Sequence, residues 1–258
     1  MLSLTTLASG SSGNCLLLSD GSTHLLIDAG ISARRIVRSL RDLEIEPDRL
    51  SGVLVTHEHT DHVAGLATLT KQFSLPVYAS APVGRQLCCR IAALEDVLRT
   101  FSPGDRFVVD GLEVTSFPTL HDTADSVGYS VTDGVRRCAV ATDLGVVTEA
   151  VLAGASGCDL LVVETNHDPD WVRFGPYPPF LKARILGNRG HLSNDAGAAL
   201  ARACVASGTR RVLLAHLSSE NNTPRRAYDT VAAALDELGG EAALAVAPRG
   251  EPGPTYLV

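Results

Sequence analysis

The sequence predicts a mixed α/β fold. Three observations carry this. Short apolar runs of β type recur along the chain. The pairs Asp20-Gly21, Asp110-Gly111 and Asp133-Gly134 each lie between such runs. Capped amphipathic stretches of helical period separate the later ones. Asp-Gly suits a two-residue hairpin turn because glycine accepts positive φ without strain. Hairpins dominate early in each half and strand–helix units close each half, so no regular βαβ repeat emerges.

The elements follow in order. Strands are expected at Leu2–Leu7, Cys15–Leu18, His24–Asp28, Val53–Thr56, Leu112–Phe117, Val127–Thr132, Cys138–Thr142, Leu160–Glu164, Val212–His216 and Ala242–Ala247. Ser32 can cap a helix running to about Leu43, where Ile36, Val37, Leu40 and Leu43 form one apolar stripe. Further helices are expected at Val63–Phe73, Pro82–Leu98, Thr148–Ala155, Asn194–Ala206 and Pro224–Leu238. The last has Thr223 as N-cap, Pro224 at the first helical position and a Gly239-Gly240 stop. His167 to Ser193, rich in proline and glycine, reads as an irregular stretch. It is too long for an idle connection and is therefore assigned a function.

Composition bounds the class. The 258 residues carry a net charge of −7, with 45% apolar and 20% charged residues, which excludes disordered and low-complexity classes. No apolar run approaches the roughly 20 residues of a membrane span. The start, MLSLTTLASG, lacks the basic and long apolar regions of a signal peptide. The expectation is a cytoplasmic protein without membrane contact. Cys15, Cys88, Cys89, Cys138, Cys158 and Cys204 form no C-x-x-C pair and mostly sit in apolar runs, so they read as reduced thiols.

The chemistry concentrates in Thr56-His57-Glu58-His59-Thr60-Asp61-His62. It follows an apolar strand and precedes a helical run. Three imidazoles and a carboxylate crowded at such a turn need partners, and a divalent cation provides them.

His57-x-His59-x-Asp61-His62 resembles the signature of the metallo-β-lactamase fold superfamily. Asp28 in Leu25-Leu-Ile-Asp28-Ala-Gly, His121 in Phe117-Pro-Thr-Leu-His121, Asp143 in Ala141-Thr-Asp143-Leu-Gly and His216 in Leu213-Leu-Ala-His216 match its later motifs in order. The resemblance spans nearly the whole chain. It implies one domain over residues 1–258, folded as a four-layer αββα sandwich with mixed sheets. It also implies two divalent metal ions. His57, His59 and His121 would hold one; Asp61, His62 and His216 the other; Asp143 would bridge them. Zn²⁺ suits this set best, and Mn²⁺ or Fe²⁺ also accept it. A metal-bridging hydroxide would be the nucleophile. Asp28 would stay outside the ligand set and fix the loop carrying His57; an ordinary strand-end carboxylate is the competing account.

The fold leaves the reaction open. Classical β-lactamases of this fold carry cysteine where Asp143 stands, and flavodiiron proteins a carboxylate where His59 stands. The opening Ala8-Ser-Gly-Ser-Ser-Gly-Asn14-Cys15, with Val163-Glu164-Thr-Asn166-His167-Asp168 and Leu213-Leu-Ala-His216-Leu-Ser-Ser-Glu220-Asn221-Asn222, resembles the YycJ/WalJ-type subfamily. That resemblance implies a nuclease, a DNA exonuclease of 5′→3′ direction. Asp61, His191 and Glu164 stand as its candidate catalytic residues, with His191 facing the scissile phosphate. Simpler accounts remain for two of them: Glu164 as a strand-end acid and His191 as a helix-start histidine. His167 either reaches the cleft or only shapes its turn. The competing function is a small-molecule metallohydrolase acting on an ester, thioester, lactone or cyclic phosphodiester.

One segment supports a nucleic-acid substrate independently. Trp171 to Asn194 contains no Asp or Glu, while Arg173, Lys182, Arg184 and Arg189 give it +4. It also holds Trp171, Phe174, Tyr177 and Phe180, four of the twelve aromatics. Cations for phosphates with aromatic faces for bases suit a single-stranded DNA surface. Aromatics packed on the sandwich beneath solvated cations are the alternative.

Overall fold

The computed structural model describes residues 1–239 and 242–258. Two seven-stranded sheets face each other. The first is built from β1 (Ser3–Ala8), β2 (Cys15–Ser19), β3 (His24–Ile27), β4 (Leu50–Leu54), β5 (Val77–Ser80), β6 (Leu98–Phe101) and β14 (Thr255–Leu257), in the order β14-β1-β2-β3-β4-β5-β6. The second is built from β7 (Arg106–Val109), β8 (Leu112–Pro118), β9 (Val127–Thr132), β10 (Arg137–Ala141), β11 (Leu160–Glu164), β12 (Arg211–Ala215) and β13 (Ala243–Val246), in the order β13-β12-β11-β10-β9-β8-β7. Each sheet is antiparallel on its hairpin side and parallel on the other, from β3 through β6 and from β10 through β13. All three Asp-Gly pairs sit in hairpins, between β2 and β3, β7 and β8, and β9 and β10. Asp110 and Gly111 both adopt positive φ (44° and 96°), as the tight hairpin turn requires.

Helices cover both outer faces, which makes the four layers the family resemblance implies. Against the first sheet lie α1 (Ala33–Asp42), α3 (Leu66–Phe73) and α4 (Ala81–Cys88), with the single turn α2 (Thr60–Val63) ahead of α3. Against the second lie α5 (Glu149–Ala155), α8 (Asn194–Ala206) and α9 (Pro224–Asp236). Two short helices, α6 (Pro169–Phe174) and α7 (Pro179–Leu186), precede α8. The central strands are buried on both faces, which explains their continuous apolar runs. In β11, Leu160 and Val162 point into the core between the sheets, while Leu161 and Val163 point under the helices. In β3, Leu25 and Ile27 alternate with Leu26 in the same way. Each such side chain contributes about 1.5–3 kcal/mol on burial.

Several boundaries differ from expectation. The helix expected over Val63–Phe73 breaks at Ala64-Gly65, because Gly65 packs on the Ile31 carbonyl where a Cβ would lie 2.3 Å away. The helix expected over Pro82–Leu98 ends at Cys88, and Leu98 opens β6, paired with Val77. Strands β5, β6, β7 and β14 were not anticipated. Thr223 caps α9 as expected, and Gly239 has φ 64°. Gly240 of the expected stop lies outside the described residues. All six cysteines are free thiols. Among the described residues no helix is long and apolar enough to cross a membrane.

Candidate metal centre and cleft

Strand ends from both sheets deliver the site. Asp28 follows β3, Thr56 to His62 joins β4 to α2, His121 follows β8, and Asp143 follows β10. Glu164 ends β11, His191 stands just ahead of α8, and His216 follows β12. Asp28, Asp143 and His216 each leave their strand in left-handed backbone, with φ of 63°, 56° and 55°. Non-glycine residues rarely adopt this, and it costs on the order of 1–3 kcal/mol each. The bend turns these side chains out of the ladder and toward one another. Gly30 lets the chain after Asp28 lie against the Asp61 carbonyl, where a Cβ would sit only 1.6 Å away.

Nearly every imidazole has one nitrogen held from behind. Asp28 accepts from Thr56 N–H (2.8 Å), from Thr56 Oγ1 (2.9 Å) and from His62 Nδ1 (2.7 Å). Because Thr56 Oγ1 spends its proton on Asp28, it accepts from His57 Nδ1 at 3.0 Å. His121 Nδ1 donates to the Gly190 carbonyl (2.9 Å). His191 and His216 both donate Nδ1–H to Glu164 Oε1, at 2.7 and 3.0 Å. Fixing the proton on Nδ1 leaves the Nε2 lone pair directed inward, which is the tautomer a metal ligand needs.

The inward atoms cluster. Ligand atoms of His57, His59 and His121 all lie within 4.8 Å of one another, and so do those of Asp61, His62 and His216. Asp143 groups with His57 and His62, and again with Glu164, His191 and His216. His57 Nε2, His216 Nε2 and Asp143 Oδ2 are buried without any hydrogen-bond partner. Buried polar atoms left unpaired are destabilising by about 1–3 kcal/mol each, so these three, which belong to groups sharing Asp143, fit bound cations. The charges agree. Burial opposes ionisation of Asp61, yet His216 and His62 hold its carboxyl well below the usual range. Burial pulls the His216 imidazole down, but Asp143, Asp61 and Glu164 push it up to about 10. His57 is forced well down by burial and by His62, His121 and His59. Protons held by such a cluster are what a divalent cation displaces.

Residues 23–217 match the model of the beta-lactamase superfamily domain. The chain belongs to the β-lactamase superfamily. It is 36% identical over 239 residues to the exodeoxyribonuclease YycJ of Bacillus anthracis, covering 92% of this chain and 90% of that one. It is 31% identical over 230 residues to the exodeoxyribonuclease WalJ of Streptococcus pneumoniae, covering 87% and 85%. The metallo-β-lactamase fold protein YhfI of Bacillus subtilis superposes with a TM-score of 0.74 at 16% identity, covering 99% of this chain and 98% of that one. As a member of this superfamily the chain is a metal-dependent hydrolase with a cluster suited to divalent cations.

The structure brings His57, His59, Asp61, His62, His121, Asp143, His191 and His216 to one site. Glu164 is fully buried beneath them. Its Oε2 accepts from the Leu144 and Leu192 amides, at 3.1 and 3.2 Å, and its Oε1 serves the two histidines. Burial opposes its ionisation, but His191 and His216 hold its carboxyl well below the usual range. His167 is buried, and its main chain bridges Ser193 and accepts from the Asn194 amide. The Gly/Ser opening also buttresses the site. Ser9 Oγ accepts from the His216 amide at 2.8 Å, and Asn14 Nδ2 lies 3.0 Å from His62 Nε2. Sequence reading missed Thr56, Glu58 and Asp122. Glu58 accepts from the Ala124 amide (3.0 Å) and so pins the loop after His121. Asp122 lies 3.4 Å from His121 Nε2 and pairs with Arg184. The position of Thr56, directly before the histidine run, was the available signal for it.

The stretch read as irregular forms α6 and α7. Phe174 and Phe180 are 84% and 75% exposed, and no residue of α7 is buried. Trp171 lies under the Arg226 guanidinium at 5.1 Å. The cations are partly engaged: Arg173 pairs with Asp170, and Arg189 donates to the His121 carbonyl. Phe174 and Phe180 face solvent, whereas Trp171 is partly covered by Arg226 and Tyr177 is half-buried beside the cleft.

Proposed function

We propose that this chain is a two-metal phosphodiesterase that degrades DNA as an exonuclease, in the 5′→3′ direction by its family resemblance. The observation that carries the metal number is the pair of ligand trios flanking Asp143. His57, His59 and His121 would hold one cation, Asp61, His62 and His216 the other, and Asp143 both. Zn²⁺ is the first choice for five imidazoles with carboxylates, before Mn²⁺ or Fe²⁺. Bound there, two cations supply an acidified water and neutralise charge growing on the phosphate oxygens. The named activity of the relatives at 36% and 31% identity supports DNA as substrate.

The chain's own groups complete the reaction. His191 commits Nδ1–H to Glu164 and is partly exposed to the cleft, so it acts on substrate through Nε2, which offers a proton only when the ring is the imidazolium. There it protonates the leaving oxygen or stabilises the phosphate charge. Glu164 touches no substrate; it orients His191 and His216. Phe174 and Phe180 offer faces for unpaired bases.

The test is metal analysis followed by a substrate panel. About two transition-metal ions per chain are expected, with His59→Ala losing one of them. End-labelled single- and double-stranded DNA, RNA and a thioester are then compared with Zn²⁺ and Mn²⁺. DNA cleavage is the expected result. Thioester hydrolysis without DNA cleavage replaces this reading with the small-molecule one, and full activity without metal overturns both.

A further inference from the structure

A cavity of about 200 Å³ opens beside the histidine cluster. His121 and His191 form its inner end. Tyr177, Leu181 and Ile185, from α7 and the turn before it, form an apolar wall. Ser11, of the Gly/Ser opening, and Ser218 and Ser219, after His216, also line it, together with Asp122, Asn166 and Arg184.

We propose that this cavity seats the base of the terminal nucleotide, and that its size makes cleavage end-dependent. The inference rests on the nuclease reading above. An apolar cavity of about 150 Å³ accommodates benzene, and ligand pockets for drug-sized molecules run to roughly 300–1,000 Å³. A space of about 200 Å³ therefore takes one nucleobase and not two stacked ones. A base held there lies next to His121 and His191, so the first phosphodiester beyond it falls at the cluster. The walls also set the selectivity. Tyr177, Leu181 and Ile185 offer the flat and aliphatic surface that any base can use. Serine hydroxyls donate and accept alike, whereas Asp122, Asn166 and Arg184, which also line the space, can each bond a base edge.

The experiment uses the full-length metal-loaded protein and single-stranded DNA in five forms. These are linear, circular, and linear with one abasic nucleotide at the 5′ end, at the 3′ end or in the middle. Mononucleotide products are expected, with no cleavage of the circle. An abasic residue at the attacked end should slow the first cleavage at least five-fold, a stacking loss of the usual size, and an internal one should not. Leu181→Trp fills the cavity. It should slow the natural end and erase the difference between natural and abasic ends, while metal content and circular dichroism stay unchanged. Ile185→Trp carries the same test if the first variant fails to fold. A difference that survives in the filled cavity overturns the proposal, as does cleavage of the circle at the linear rate. Equal wild-type rates on natural and abasic ends overturn the cavity alone. Hydrolysis of bis(p-nitrophenyl) phosphate without any DNA cleavage overturns the nuclease reading, and this proposal with it.

Discussion

Glu164→Gln is the sharpest probe of how the site is held. Glu164 is fully buried and uses both carboxylate oxygens as acceptors: Oε1 for His191 and His216, Oε2 for the Leu144 and Leu192 amides. Glutamine keeps the shape but offers only one acceptor oxygen. If the oxygen stays with the backbone amides, the new NH2 meets two imidazole N–H groups. Both rings must then move their proton to Nε2, the atom that faces the cluster. If the oxygen turns to the histidines, the NH2 meets two backbone donors. Either way two buried donors lose their acceptor, at about 1–3 kcal/mol each, so roughly 2–6 kcal/mol is at stake. The first arrangement appears mainly as a 10–100-fold loss of metal affinity, the range for a lost partner behind a ligand. The second appears mainly as a lower melting temperature. Competition with a chromogenic chelator and thermal melts of the metal-free protein separate the two. The sign with pH follows from the depressed carboxyl. Its stabilisation is present above the unfolded value of about 4.3 and is lost as pH falls, so the deficit of the variant closes in acid. A variant with wild-type metal affinity and a melt within about 0.5 kcal/mol, the spread of an inconsequential surface change, refutes this account.

Thr56→Val removes the hydroxyl that links Asp28 to His57; metal affinity should fall about ten-fold in the same competition assay, with the fold retained. Phe174→Ala combined with Phe180→Ala should weaken single-stranded DNA binding by about 1–3 kcal/mol per stacked base, read by fluorescence anisotropy. Because both rings are exposed, the melt should stay within about 0.5 kcal/mol. Burial lowers the His167 imidazole to about 4, so it is neutral in the fold and protonated more readily in the unfolded chain. Its contribution is complete above about pH 6.5 and fades toward pH 4, by up to about 3 kcal/mol. His167→Leu should therefore flatten the wild-type fall in stability across that window, measured by denaturant titration at stepped pH. Dialysis against a strong chelator should abolish hydrolysis, and re-addition of Zn²⁺ or Mn²⁺ should restore it.

The parts legible in the sequence were those written in local pattern. Buried strands such as Leu160–Glu164 announce themselves as continuous apolar runs, and Asp-Gly pairs mark hairpins whatever the rest of the chain does. The parts that escaped depend on long-range packing. Leu94 and Leu98 continue the apolar spacing of the helix that ends at Cys88, but they reach the same core from a turn and a strand. Nothing local distinguishes the two paths. The site divides in the same way. His57, His59, Asp61 and His62 stand out by type and spacing, whereas His121, Asp143 and His216 were found through the family resemblance. The groups that aim them do not stand out: Thr56 Oγ1 and the Gly190 carbonyl are ordinary atoms given a role only by the fold. Glu164 was visible as an acid at a strand end, but its place behind two histidines was not.

The strand ends show why local preference and site chemistry conflict here. Asp28, Asp143 and His216 occupy backbone that glycine would adopt without strain. Glycine would satisfy the bend but remove the side chain the bend exists to deliver. Tolerating three such positions requires that the surroundings over-determine them. The Thr56 amide and hydroxyl and the His62 ring all bond Asp28, and Ser9 and Glu164 hold the backbone and ring of His216. Asp143 is the exception. Its Oδ2 has no hydrogen-bond partner although it is buried. Imidazole nitrogens of His62, His121, His191 and His216 lie 3.3, 3.9, 3.7 and 3.4 Å from its two oxygens and balance its charge, but none makes a hydrogen bond to Oδ2. A cation held by the neighbouring ligand atoms would satisfy Oδ2, and metal binding would then stabilise Asp143 in its strained backbone.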